Sequence, residues 1–591
     1  MYISSMSDNL NVLKKFEKYL NGTSIVNSSC NFDVQNPFDK SILEYIKMED
    51  PIDCGEEKFD KIISIEGNQV KIIPSKLEDH LCYGRNFEFK SGGKDDDNKY
   101  HEWISFDNNG FYNMTTDFAN ILCYKKSLFN IKIKVYEKTI STILPQNILE
   151  YEKEEEDDVS VIMIGIDSMS RSNFIRSLPK TYKFLQNNDF IDFKRHVKVA
   201  DNTYGNWIAI LTGLRASWSK DMPMEITDEW NIWFDDIPVI WKNFTSKGYV
   251  TFFAEDRSDI ATFNFKGKLN GFKKQPTTHY FRNYWIDVER SILYKQSKFG
   301  CYGGTSNTET QLDYLTDFLD KYQNIKKFAW WWSTEMSHDN LNTISSMDTI
   351  YHNFLVNNYK KMKDSIVIFF SDHGNRYDNI RETNVGRFET RLPFLNIHLP
   401  KKLKELYPFL IKIMIENSNK MTTQYDLHET LKSILKKEWK KDFTKRRGYS
   451  LFHKHPHQRE CITSGIPENY CPCNKEVDIS LKESHEAATF LVDYLNIKLT
   501  NFNNFVKSNI KYKCKLFEID KILYSSLTIP SDVITKDVHL GRHIISNHLS
   551  IVYRLMIRMK APSRALIEAL VEQNLSTGKF IVKEEIERNN K

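Results

Sequence analysis

Residues 159–174 read VSVIMIGIDSMSRSNF, a nearly unbroken apolar run that stops at Asp167. A strand that is apolar at successive positions has both faces buried, as in a parallel sheet covered by helices on both sides. Asp167 stands at the end of this strand and is followed at once by hydroxyls and Arg171. Two readings are open for it: a cap for the next helix, or the first ligand of a metal site at the mouth of the sheet.

Working outward, similar runs recur at 191–200 (IDFKRHVKVA), 249–256 (YVTFFAED), 327–335 (KFAWWWSTE), 365–374 (SIVIFFSDHG) and 392–400 (LPFLNIHLP), separated by helical patterns. Strands alternating with helices predict an α/β/α sandwich with a mostly parallel central sheet. Ligands in such sheets collect at the carboxyl ends of strands. Polar groups stand there: Asp167, Glu255–Asp256, Glu335 with His338, and Asp372–His373.

The flanks read differently. Residues 1–150 carry four cysteines, turn clusters and short alternating runs such as FNIKIKVYEK (129–138), which predicts a smaller, irregular and β-rich N-terminal region. An acidic stretch at 152–158 reads as a linker, and the core is expected over 159–515 with a Cys-rich edge at 448–475. Residues 516–591 are expected to be a helical extension, because HIISNHLSIVYRLMIRMK (543–560) fits an amphipathic helix.

Composition narrows the classes. The 591 residues carry a formal charge of +4, with 40% hydrophobic and 27% charged residues, which describes a globular protein with no basic excess for nucleic acid. No apolar run is long enough to cross a membrane, and the first twenty residues lack a signal-peptide pattern. The nine cysteines form no CxxC pair, so disulfides in an oxidising compartment are expected rather than thiolate zinc, with one cysteine left over. Sequons at Asn21, Asn27, Asn113, Asn243 and Asn574 permit glycosylation. The secretory pathway is the expected location.

Two motifs carry chemistry. In SDHG, Asp372 and His373 offer a hard oxygen and an imidazole from adjacent positions, and Gly374 lets the backbone turn away. In NTYGNWIAILTG (202–213), Thr203 lies near a helix start, where backbone N–H groups favour an oxyanion; the commoner role of such a Thr is an N-cap.

Together, the IGIDS strand, Thr203 ten residues before Gly213 of LTG, the SDHG strand end and the later RLPF run resemble the alkaline phosphatase superfamily, in its sulfatase-like branch. A sulfatase itself is disfavoured, because Thr203 cannot become formylglycine and Asp256 and Ser258 stand where sulfatases carry Lys and His. The set is more similar to phosphoryl-transfer members such as phosphoethanolamine transferases. That resemblance implies Asp167, Thr203, Asp372 and His373 as zinc ligands, with Thr203 also the nucleophile. DSMSRSNFIRSLPKTYKFL (167–185), AEDRSDIATFNF (254–265), SHDN (337–340), GYSLF and CPC resemble an animal family named only as domain of unknown function 229, over roughly residues 25–515.

The resemblance implies further roles: His338 for substrate binding or leaving-group protonation, Glu335 and Asp339 for a second metal, and Asp256 as a weaker candidate. Arg171, Arg381 and Arg391 are candidate anion clamps, and His428 reads as structural. Two carboxylates and an imidazole suit zinc best, as one or two ions, then manganese, with calcium least suited. The expected activity is a metal-dependent hydrolase or transferase of phosphate esters. The partner is an anionic ester carried on a glycan, a lipid or a small molecule. The alternatives are a sulfatase-like esterase using unmodified Thr, and an inactive extracellular binding protein on the same scaffold.

Overall fold

The computed structural model describes residue 30 and residues 32–588, apart from 57–60, 127–131, 147–155, 218–221, 227–231, 266–268, 441–446, 474–475, 506–513, 529–549, 575–576 and 584–585. Asn21, Asn27 and most of the acidic linker lie outside the described residues.

A seven-stranded sheet forms the centre. Its order is Ile191–Asp192, Leu395–His398, Ile366–Phe370, Val161–Ile166, Lys327–Ser333, Val250–Glu255 and His279–Tyr280. The five strands from Ile366–Phe370 to His279–Tyr280 run parallel; at the other edge Leu395–His398 pairs antiparallel with Ile366–Phe370 and Ile191–Asp192 pairs antiparallel with Leu395–His398. The apolar runs explain this burial on both faces. Val161 and Met163 pack on one side with Trp330 and Trp332, while Ile162, Ile164 and Ile166 pack on the other with Trp331. Successive side chains of a strand point to opposite faces, so the run WWW supplies both cores at once. Gly165 is required by packing, since a Cβ there would come within 2.0 Å of the Trp332 ring.

The run at 191–200 gives two short strands rather than one. Ile191–Asp192 joins the central sheet, whereas His196–Val197 pairs with Thr422–Thr423. The N-terminal region is β-rich as expected, with a three-stranded sheet and a five-stranded sheet whose strands His80–Phe89 and Phe118–Lys125 are crossed by the Cys82–Cys123 disulfide. Cys54–Cys301 ties this region to the core, while Cys30–Cys473 and Cys461–Cys471 staple the Cys-rich edge. Cys514 is the free one, and it is exposed.

The C-terminal expectation is corrected. Among the described residues, 516–591 contain strands, Ile519–Thr528, Ser550–Met559, Leu566–Asn574, Phe580–Val582 and Glu587–Arg588, in an antiparallel sheet. Glu476–Asp478 joins its edge and the helix His485–Phe505 packs on it, so this unit begins near residue 476 rather than 516. The described part of the 543–560 stretch, the strand Ser550–Met559, misleads because both of its faces are covered. Leu555, Ile557 and Met559 pack on the helix, and Arg554, just before them on the opposite face, is buried in an ion network with Glu476 and Glu568. Residues 543–549 lie outside the described residues.

Candidate functional site

Asp167 ends the middle strand of the sheet, and Asp372 and His373 follow the end of its parallel neighbour, so the three meet at one edge. They are 2%, 0% and 0% exposed, respectively. One ligand atom from each lies within 4.8 Å of the others, the spacing of a shared cation. Ser168, next to Asp167, adopts φ 58°, a conformation disfavoured for a residue with a Cβ. Its backbone N–H thereby donates to Asp372 Oδ1 at 3.1 Å and its hydroxyl to Asp167 Oδ1 at 2.8 Å.

The chain turns at Gly374, whose N–H donates to the Thr390 carbonyl at 2.9 Å. A Cβ there would meet the Glu389 carbonyl oxygen at 2.3 Å, so glycine is needed for close approach. His373 Nδ1 lies 2.9 Å from the Gly374 carbonyl oxygen, which can only accept, so the ring proton sits on Nδ1. Nε2 therefore presents a lone pair, 3.1 Å from Asp372 Oδ2. Asp372 Oδ2 finds no donor in good hydrogen-bond geometry, although the Thr203 hydroxyl is close enough to ease its charge. Two lone pairs facing each other in a dry site fit a cation between them.

Thr203 opens the helix Thr203–Thr212, but it is not the cap. Asn202 caps the helix by accepting from Gly205 N. The Thr203 hydroxyl is left beside the acids, 3.4 Å from Asp167 Oδ1 and 3.4 Å from His373 Nε2. The electrostatics suit a cation bound among these groups. Burial pushes the Asp167 carboxyl up to about 6. Burial and then Asp167 push Asp372 up to about 7, and burial holds His373 well below its ordinary value.

Three side chains that the sequence reading did not select stand beside this cluster. Arg376 pairs with Asp201 and donates to the Tyr377 hydroxyl at 2.7 Å, and its charge lowers His373 and Asp167. Lys198 reaches Asp201 at 3.3 Å and also lowers His373. Arg376 was findable: it lies in the same turn as SDHG. Asp201 was findable too, two residues before Thr203; Lys198 carries no such signal, and it follows directly on His196–Val197, which pairs with Thr422–Thr423.

The other expected residues are placed elsewhere. Arg171 is held by Asp192, and Arg381 and Arg391 by Glu568. Glu335 accepts from Asn307 at 2.7 Å and from Tyr294 at 3.4 Å. Asp256 accepts from Ser333 and the Thr334 N–H. Asp339 is paired with His338 Nδ1 at 2.7 Å and lies 3.8 Å from Arg257. Among the described residues, neither Glu335 nor Asp339 joins a group of three possible metal ligands. The other such group, Cys30, Cys461 and Cys473, is two adjacent disulfides. His428 is structural in position, its Nδ1 2.9 Å from the Ile210 carbonyl oxygen.

The class defined by these observations is an α/β/α sandwich with a candidate metal centre at the carboxyl ends of its strands. The chain belongs to the family described as Protein of unknown function (DUF229), whose model matches residues 44–523. No curated protein matches it. Among solved structures it is similar to the lipoteichoic acid synthase LtaP from Listeria monocytogenes, with 12% identity over 55% of this chain and 78% of that one and a TM-score of 0.31. It is also similar to the phosphonate monoester hydrolase SpPMH from Silicibacter pomeroyi, with 13% identity over 55% and 80% and a TM-score of 0.33. A protein in the alkaline phosphatase superfamily from Vibrio parahaemolyticus gives 11% identity over 72% and 82% and a TM-score of 0.31. Likenesses of this order assign neither activity nor substrate.

Proposed function

We propose that the protein is a metal-dependent esterase of the alkaline phosphatase superfamily type, transferring a phosphoryl group through Thr203. The observation that carries this reading is the Thr203 hydroxyl at 3.4 Å from both Asp167 Oδ1 and His373 Nε2, with the Nε2 lone pair turned toward it. Asp167, Asp372, His373 and Thr203 would hold a divalent ion, zinc by donor chemistry. Such an ion supplies positive charge to the ester oxygens and favours the ionised hydroxyl.

The chain's own groups do the rest. Thr203 attacks phosphorus as the ester oxygen departs opposite, forming a phosphothreonine; water or an acceptor alcohol then takes the phosphoryl group and restores the hydroxyl. Arg376 and Lys198 place two cations beside the transferred group, where charge must be neutralised. His338 is assigned to the leaving group: Asp339 orients it through Nδ1, and its ring lies 5.5 Å from that of Tyr377, which accepts from Arg376 beside the cluster. Eight cysteines in four disulfides favour an oxidising compartment, which supports reading the protein as one of the secretory pathway.

A panel of aryl phosphates, phosphodiesters and sulfates, assayed with zinc and then with manganese, tests the reading. Turnover of phosphate esters that disappears in Thr203→Ala is expected. Preference for sulfates selects the sulfatase-like alternative, and no turnover of any ester by metal-loaded protein selects the binding protein.

A further inference from the structure

Between the SDHG turn and the strand Leu395–His398 lies a short segment, the 3-10 turn Asn379–Glu382 and the helix Asn384–Glu389, that is gripped from two sides. From the core, Arg176 donates to both oxygens of Glu389 at 2.7 Å. From the C-terminal sheet, Glu568 accepts from Arg381 at 2.9 Å and from Arg391 at 3.1 Å. All of these side chains are buried. A buried guanidinium is costly unless its charge is answered, so these contacts fix where the segment sits.

Arg381 turns its other nitrogen toward the metal turn. Its Nη1 donates to the Thr390 hydroxyl at 2.6 Å while its Nη2 holds Glu568. That hydroxyl directs its own proton to the Gly386 or Arg387 carbonyl, at 3.2 Å and 3.1 Å, which leaves a lone pair for the guanidinium. The Thr390 carbonyl accepts from Gly374 N–H at 2.9 Å, and the Gly374 carbonyl accepts from His373 Nδ1 at 2.9 Å. Gly374 is thus held at both of its polar groups. It has no slack either, since a Cβ there would lie 2.3 Å from the Glu389 carbonyl oxygen and 2.9 Å from the Thr390 Cα. Each step from Glu568 to the imidazole is a hydrogen bond or the backbone of one residue. Glu568 itself lies beyond residue 523, where the family match ends.

We propose that Arg381 is a positioning residue for His373: by tying Thr390 to Glu568, it makes the docked C-terminal sheet hold the Gly374 peptide, and with it the imidazole, so that Nε2 faces a divalent ion. This rests on reading Asp167, Asp372 and His373 as a metal centre. Arg381 acts through Thr390 and Gly374 and touches no reacting atom. Groups that orient a metal-binding imidazole set affinity almost as strongly as the ligands, because the ring then meets the ion without reorganising.

The test compares the full chain with Arg381→Lys, Thr390→Val and Thr390→Ser. Zinc affinity is read by competition with a chelator, the visible absorption of the cobalt-loaded protein reports ligand geometry, and hydrogen exchange of residues 371–376 is followed in the metal-free protein. Melting temperature is measured on every variant. Lysine cannot bridge two partners as the guanidinium fork does. Valine removes only the hydroxyl and leaves the pair of Arg381 with Glu568 in place, so it tests the link even where Arg381→Lys does not fold. Both variants are expected to weaken zinc affinity by about tenfold, the lower end of the effect of removing a partner that orients a ligand. Both should also alter the cobalt spectrum and speed exchange at 371–376, and Thr390→Ser should restore parental behaviour. Zinc affinity, cobalt spectrum and exchange unchanged in Thr390→Val overturn the proposal. So does a loss of affinity accompanied by faster exchange throughout the chain and a lower melting temperature, which marks general loosening. A parent protein that binds neither zinc nor cobalt overturns both this proposal and the metal reading, whereas a parent that binds while Thr390→Val binds equally overturns this one alone.

Discussion

Two acid-lined strand ends lie on the same sheet, one at Asp167 and Asp372–His373 and one at Asp256 and Glu335, and they differ in what answers their lone pairs. At the second, neutral donors do so: Ser333 and the Thr334 N–H for Asp256, and Asn307 and Tyr294 for Glu335. Burial raises the pKa of both carboxyls, so a proton can satisfy them. At the first, Asp372 Oδ2 and His373 Nε2 turn toward each other with no proton on the imidazole nitrogen, and the Thr203 hydroxyl stands beside them. Burial and acidity are therefore common to both, and the difference lies in donors left open in one place and closed in the other.

The largest effect should come from Thr203→Ala. Loss of the nucleophile should lower kcat by about a thousandfold or more, with metal content unchanged by elemental analysis. Near-parental turnover would remove the special status of the first strand end. Next, Asp372→Asn and His373→Gln should each weaken metal affinity by at least about tenfold, read by competition with a chromogenic chelator. Metal retained at parental affinity would make the two strand ends alike.

A smaller effect separates the metal-free protein from the loaded one. The folded Asp372 carboxyl is raised from 3.8 to about 7, so its contribution to stability is present below the unfolded value and is lost as pH rises through the folded one. Chelated protein should thus lose a few degrees of melting temperature between about pH 5 and about pH 8, and Asp372→Asn should flatten that dependence. A slope unchanged by Asp372→Asn would mean that other groups dominate it. The smallest effect is expected at the closed strand end: Glu335→Gln should change turnover by less than about threefold and leave the metal count intact, as for exchange of one satisfied hydrogen bond. Loss of an ion in that variant would place a second metal there.

Much of the central sheet was legible because its strands are apolar on both faces, a pattern that helices on both sides of a parallel sheet require. Asp167, Thr203, Asp372 and His373 were legible for a related reason, since acids and hydroxyls at the ends of such strands stand out against their neighbours. The C-terminal strands were not. The stretch 550–559 is apolar at helical and at strand spacing alike, and its burial under the helix His485–Phe505 becomes visible only in three dimensions. The arginines misled in the same way: Arg381 and Arg391 look available in the sequence, and their partner Glu568 lies almost two hundred residues away.

By itself, the sequence determined which residues could bind a cation and that a parallel sheet would present them, because side-chain chemistry and hydrophobic periodicity are local properties. Tertiary structure alone decided which donors stay open. That choice depends on proton positions fixed by contacts such as His373 Nδ1 with the Gly374 carbonyl, and on charges such as Arg376 and Asp201 that meet only when segments remote in the chain fold together.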